Sequence, residues 1–140
     1  MTCQISADMA NRFLRETFVG NGPQNEVIAT ALDYVQMRIE VSNAHLRPGN
    51  YISGPTQMAL ADSAAYIAVM TRIGIVPMAV TSSLNINFLR PCLGTALLAD
   101  ARTLKFGQRL AVIEVSLRGE DQDKTASHAV VTYTLPQETS

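Results

Sequence analysis

Residues 54–73 are the stretch that most limits the folds open to this chain. They open with Gly54-Pro55 and stop at Gly74, which reads as a helix with Ser53 as its cap. Pro is favoured at the first helical position, where its missing N–H is harmless, and Gly is a common stop signal. The helix is rich in Ala and apolar nearly all the way round, which predicts a helix enclosed by other structure. One residue breaks the pattern. Asp62 is the sole carboxylate between Glu40 and Asp100, and on a helical wheel its neighbours are Pro55, Met58, Ala59, Ala65, Tyr66, Val69 and Ile73. An ionised carboxylate in such a stripe costs several kcal/mol unless something pairs or solvates it. Folding alone gives no reason to put it there, so Asp62 is the first candidate for chemistry.

The flanking segments supply the enclosure. A first helix, about 6–18, starts at Ser6 or Asp8 as cap, with Met9, Phe13 and Leu14 on one side, and Gly20-Asn21-Gly22-Pro23 breaks it. Residues 27–32 read as a short strand. Residues 34–41 alternate Val35, Met37, Ile39 and Val41 with Tyr34, Gln36, Arg38 and Glu40, the pattern of a half-buried strand. A loop from Ser42 to Ser53 contains Pro48-Gly49-Asn50. Beyond Pro77, segments 79–89, 95–106, 109–118 and 124–135 are rich in Val, Ile, Thr and Leu and separated by short breaks, which predicts four long strands in an antiparallel meander. The compact solution is an α+β domain in which a curved antiparallel sheet wraps around one central helix. At 140 residues, 1–140 is most economically a single domain, with a tail after 136.

Composition removes several function classes. A net charge of −1, with 16% charged residues and no basic run, offers no footprint for nucleic acid or an anionic membrane surface. Cys3 and Cys92 are too few for a disulfide framework, and no Cys/His cluster has zinc spacing. Asp62, Arg72 and Pro77 interrupt the region 55–80, so no stretch reads as a membrane span. The N-terminus carries acids and no long apolar run, unlike a signal peptide. The expectation is a cytoplasmic, soluble domain.

The ordered set Gly54-Pro55-Thr56-Gln57-Met58-Ala59-Leu60-Ala61-Asp62, Asn85-Ile86-Asn87-Phe88-Leu89-Arg90-Pro91, Gly94, Lys105–Val112 and Ala126–Tyr133 resembles the hot-dog-fold acyl-CoA thioesterases, most closely the phenylacetate-pathway (PaaI-like) group. The likeness covers roughly residues 30 to 135. It implies a six-stranded antiparallel sheet around a long helix, two units joined through their sheets, active sites at the subunit interface, and dimers or dimers of dimers. The family's helix usually begins His-Gly-Gly, and here Ser53-Gly54-Pro55 stands in that place. The resemblance implies Asp62 as general base or nucleophile, the Gly54 N–H as the group that polarises the thioester carbonyl, and Thr81 as the strand hydroxyl that assists water. An asparagine used by many members falls on Arg47 by plain counting, or on Asn50 if the loop is shifted.

Independently of the family, a helix start offers unsatisfied N–H groups and the positive end of a dipole, suited to a developing oxyanion. Pro55 has no N–H, which leaves Gly54 and Thr56 as donors. Asp62 lies two turns further in, about 10 Å along the axis, too far for both to touch one carbonyl within a subunit. The reading therefore demands a homo-oligomer. Ser53 is a cap or a ligand-facing hydroxyl; Tyr66 and Met58 line an acyl pocket or are core; Arg90, Lys105 and Arg109 contact coenzyme A phosphates or form a solvated face. His45 and His128 make no triad, and Cys92 has no neighbouring base. The expected activity is hydrolysis of an acyl-CoA thioester, a small-molecule substrate, with no metal or organic cofactor beyond the substrate's own coenzyme A. The rivals are a hot-dog dehydratase, which lacks its paired histidine here, and a non-catalytic acyl-CoA-binding or effector-sensing protein.

Overall fold

The computed structural model describes residues 1–18 and 25–137. The Gly20–Pro23 break lies outside the described residues, as does the tail beyond Gln137. Helix α1 (Ala7–Thr17) is capped by Ser6, whose Oγ accepts the Met9 N–H at 3.1 Å. Its buried residues are Ala10 and Phe13, and Met9 points to solvent. Phe13 and Leu14 face the core as expected, and Ala10 takes the inward place expected of Met9.

Strands β1 (Asn25–Ala31) and β2 (Tyr34–Glu40) form a hairpin; a 3₁₀ turn (Asn43–His45) and a two-residue hairpin, β3 (Leu46–Arg47) and β4 (Tyr51–Ile52), fill the predicted loop. Helix α2 (Gly54–Ile73) follows, with Ser53 as N-cap, Pro55 in its first turn and Gly74 at φ 80° closing it through an N–H bond to the Met70 carbonyl. Then come β5 (Val80–Phe88), β6 (Ala96–Phe106), β7 (Leu110–Gly119) and β8 (Ser127–Thr134). No helix among the described residues is long and apolar enough to cross a membrane.

The six long strands form one antiparallel sheet in the order β1-β2-β6-β7-β8-β5. Strands β6, β7 and β8 are a meander, as expected, but β5 is not its first member: it pairs with β8 at the far edge. The expected four-strand meander is therefore corrected to three. The chain leaves α2 at one edge of the sheet, runs up β5 and crosses to β6 beside β2. This is the hot-dog fold, a sheet curled around one long helix. Ala61, Ala64, Ala65 and Ala68 are fully buried, and their small side chains let the sheet close on α2.

The two sheet edges differ. At β1, the Asn11 side chain of α1 accepts the Val27 N–H at 2.8 Å and donates to the Val27 carbonyl at 3.0 Å, beside a bulge. A helix and a bulge thus block that edge against further pairing. At β5 no described strand lies outside, and Val80, Phe88 and Leu89 are more than half exposed.

Candidate active site

Asp62 sits in mid-α2, half-buried, and the sheet reaches down to it. Thr81 Oγ1 donates to Asp62 Oδ1 at 2.6 Å, and the Tyr133 hydroxyl donates to the same oxygen at 2.8 Å. That hydroxyl also lies 3.0 Å from the Asp62 main-chain carbonyl. Among the described residues, Oδ2 accepts no hydrogen bond and Asp62 forms no ion pair. Arg72, the cation nearest to Asp62 in sequence, is forked onto Asp33 with two 2.9 Å bonds.

The two donors are register partners, Thr81 on β5 opposite Tyr133 on β8. A bulge brings this about. Ser83 pairs with Thr132, so unbroken alternation would place Thr81 on the same outer face as Ser83; the register shift between them turns Thr81 to the helix side. Tyr133 is nearly wholly buried, and its ring stacks on Tyr66 at 5.9 Å. Burial first, with the neighbouring Asp62 charge adding to it, pushes the phenol's pKa far up, so it remains a proton-bearing donor.

Two turns away, the start of α2 is also built from both sides. Ser53 Oγ accepts the Thr56 N–H at 3.3 Å and lies 2.7 Å from Thr56 Oγ1, while the Ser53 N–H donates to the His45 carbonyl. The Thr56 N–H is therefore occupied, which corrects its expected role as an open donor, and the Ser53 hydroxyl serves as the cap. The Gly54 N–H has no acceptor among the described residues. Buried Gln57 ties this helix start to the sheet, donating to the Ile52 carbonyl at 3.1 Å and accepting from Ser127 Oγ at 2.6 Å. The Phe88 ring lies over Gly54, where an added Cβ would meet Phe88 Cζ at 3.2 Å.

The remaining candidates lie apart from Asp62. Asn50, at φ 61°, is exposed in the Pro48-Gly49 turn between β3 and β4, its N–H donating to the Arg47 carbonyl. Arg90 is exposed and donates to the Thr125 carbonyl. Tyr66, expected as a pocket wall, is 7% exposed with its hydroxyl spent on the Pro77 carbonyl at 3.0 Å, so it backs Tyr133 from within the core. Sequence reasoning missed Tyr133 and Gln57. The signal for Tyr133 was present: alternation over 127–134 turns Ala129, Val131 and Tyr133 inward, and a tyrosine on an aliphatic face needs a partner for its hydroxyl.

A sheet curled round a helix, a carboxylate at mid-helix held from the sheet, and a helix-start N–H with no acceptor among the described residues define a hot-dog protein with a polar site on its central helix. The chain belongs to the thioesterase superfamily, whose family model matches residues 49–126. A candidate thioesterase from Silicibacter sp. TM1040 is 33% identical over 96% of this chain and 94% of its own, with a TM-score of 0.88. A mutant phenylacetic acid degradation protein PaaI from Thermus thermophilus is 27% identical over 81% of this chain and 94% of its own, at a TM-score of 0.69. Zebrafish thioesterase superfamily member 2 shares the fold at 22% identity and TM-score 0.82, covering 94% of this chain and 99% of its own. No curated protein matches the chain. Membership and neighbours together support thioester hydrolysis as its chemistry.

Proposed function

We propose that the protein hydrolyses acyl-CoA thioesters as a homodimer, with Asp62 of one protomer and the Gly54 N–H of the other acting on one carbonyl. The observation that carries this reading is the state of Asp62: one oxygen held by two hydroxyls, the other without a partner among the described residues, on an otherwise enclosed apolar helix. Oδ2 takes a proton from a water that attacks the carbonyl, or itself attacks to form an anhydride that water then opens. The carbonyl oxygen gains negative charge against the helix-start N–H, and coenzyme A leaves as the thiolate and is protonated.

The open edge supports the pairing. Thr81 and Phe88 lie toward opposite ends of β5, and both meet α2, at Asp62 and at Gly54. Two β5 strands joined antiparallel about a twofold axis near the middle of the strand would lay the Thr81–Asp62 end of one protomer against the Phe88–Gly54 end of its partner. A site split over two turns of α2 within one chain is thereby closed between chains.

Asp62→Asn is expected to abolish thiol release across a panel of short, long and aromatic acyl-CoAs while the oligomer stays folded. Undiminished turnover in that variant would remove Asp62 from the mechanism. The presence of Ser53 and Pro55 where the resemblance expects His and Gly favours a second reading, an acyl-CoA-binding sensor. Binding by the native protein without turnover anywhere on the panel would select it.

A further inference from the structure

Tyr133 is a core residue by its ring and a site residue by its hydroxyl. We propose that Tyr133 is a positioning residue: together with Thr81 it ties Oδ1 of Asp62 to the sheet and so assigns the reaction to Oδ2. This rests on the thioester-hydrolase reading and adds to it the identity of the reacting oxygen.

Three observations converge. Because Thr81 and Tyr133 are register partners on adjacent strands, their hydroxyls arrive together on one carboxylate oxygen, at 2.6 and 2.8 Å. Two donors occupy the lone pairs of Oδ1, so proton uptake or attack falls to Oδ2. The phenol oxygen also lies 3.0 Å from the Asp62 main-chain carbonyl, which sets the donor against the same helical turn that carries the carboxylate. Lastly, packing does not require the hydroxyl. The ring stacks on Tyr66 and is 3% exposed, and a phenylalanine would fill the same space. The groups that face Asp62 are Thr81 from β5, Tyr133 from β8 and, on its own helix one turn on, Tyr66 behind the phenol; no cation answers the carboxylate among the described residues. The two hydroxyls are then what aims the carboxylate.

Tyr133→Phe tests this. The variant is expected to keep its fold and oligomer, lose about 10- to 100-fold in kcat with KM within about twofold, and move the acidic limb of its kcat/KM profile up by about one pH unit, because a charge-assisted donor is gone. A loss confined to KM, or an unchanged kcat and pH profile, overturns the proposal. A second measurement needs no turnover. With ¹³C-labelled aspartate and the Asp62 carboxyl signal identified through Asp62→Asn, the titration midpoint of that signal should be higher in Tyr133→Phe than in the native protein. If the midpoint moves although the native protein hydrolyses no thioester, the hold on Oδ1 is upheld and the thioesterase reading fails. If the native protein is active and the midpoint stays, the hold is refuted and the thioesterase reading stands.

Discussion

At the scale of single residues, geometry separates groups that composition leaves equal. Both Asp62 and Cys92 sit among apolar neighbours. Cys92 is 1% exposed, and burial pushes its thiol up to about 11, so it is an inert core thiol. Asp62 keeps a free oxygen and two donors. Gly54 is the other residue whose identity matters, because its missing Cβ makes room for Phe88. Gly54→Ala keeps the N–H but sets a Cβ 3.2 Å from Phe88 Cζ. The ring is half-exposed and can swing aside, so the stability cost should stay below about 1 kcal/mol. The displaced ring then crowds the point where the proposed thioester carbonyl approaches, and kcat/KM should fall roughly tenfold. Phe88→Ala in the same background should restore part of that loss, a coupling that thermal melts and steady-state kinetics on the double-mutant cycle would measure.

Among the elements, α2 is anchored at both ends and worked in the middle. Its start is tied to β8 through Gln57 and Ser127. Its end is clamped to the β1–β2 turn by the Arg72–Asp33 pair, with the guanidinium also 5.2 Å from the Phe106 ring centre. The hydrogen bonds from Arg72 hold the Asp33 carboxyl below its ordinary 3.8. A carboxyl whose folded pKa is depressed contributes stability that is present above its unfolded value and lost as pH falls through the folded one. The difference in melting temperature between native protein and Arg72→Met should therefore be steady from neutral pH down to about 5 and shrink below 3.8. A difference that persists undiminished at about pH 2 would show that Arg72 acts through its stem packing on Phe106 instead.

For the whole molecule, the contrast between edges sets where the proposed dimer would join. Strand β1 is closed off by α1 and its Asn11, which leaves β5 as the edge open to the proposed dimer. Val80 and Leu89 bracket that strand and are 59% and 54% exposed. Val80→Lys with Leu89→Lys should place like charges near one another across a β5–β5 joint and halve the mass seen by light scattering. Activity should fall with the dimer population, since Gly54 and Asp62 lie two turns apart on one helix. Full activity in a proven monomer would refute the shared site.

Much of this was legible in the chain. Pro55 and Gly74 mark the ends of α2, strict alternation marks β2, β-branched composition between breaks marks β8, and a lone acid in an apolar helix marks Asp62, because each signal is carried by residues close together in sequence. The place of β5 was not legible, since a strand edge can join any other edge and only the closed core selects β8. Nor was the aim of Thr81, which depends on one extra residue in the β5–β8 register. The meeting of Thr81 and Tyr133 on Asp62 joins residues 52 positions apart on neighbouring strands to a third on the helix beneath. Local pattern thus determined the elements and the charge that needed explaining. Tertiary structure alone decided its partners, because hydrogen bonds between distant segments exist only once the sheet has closed around the helix.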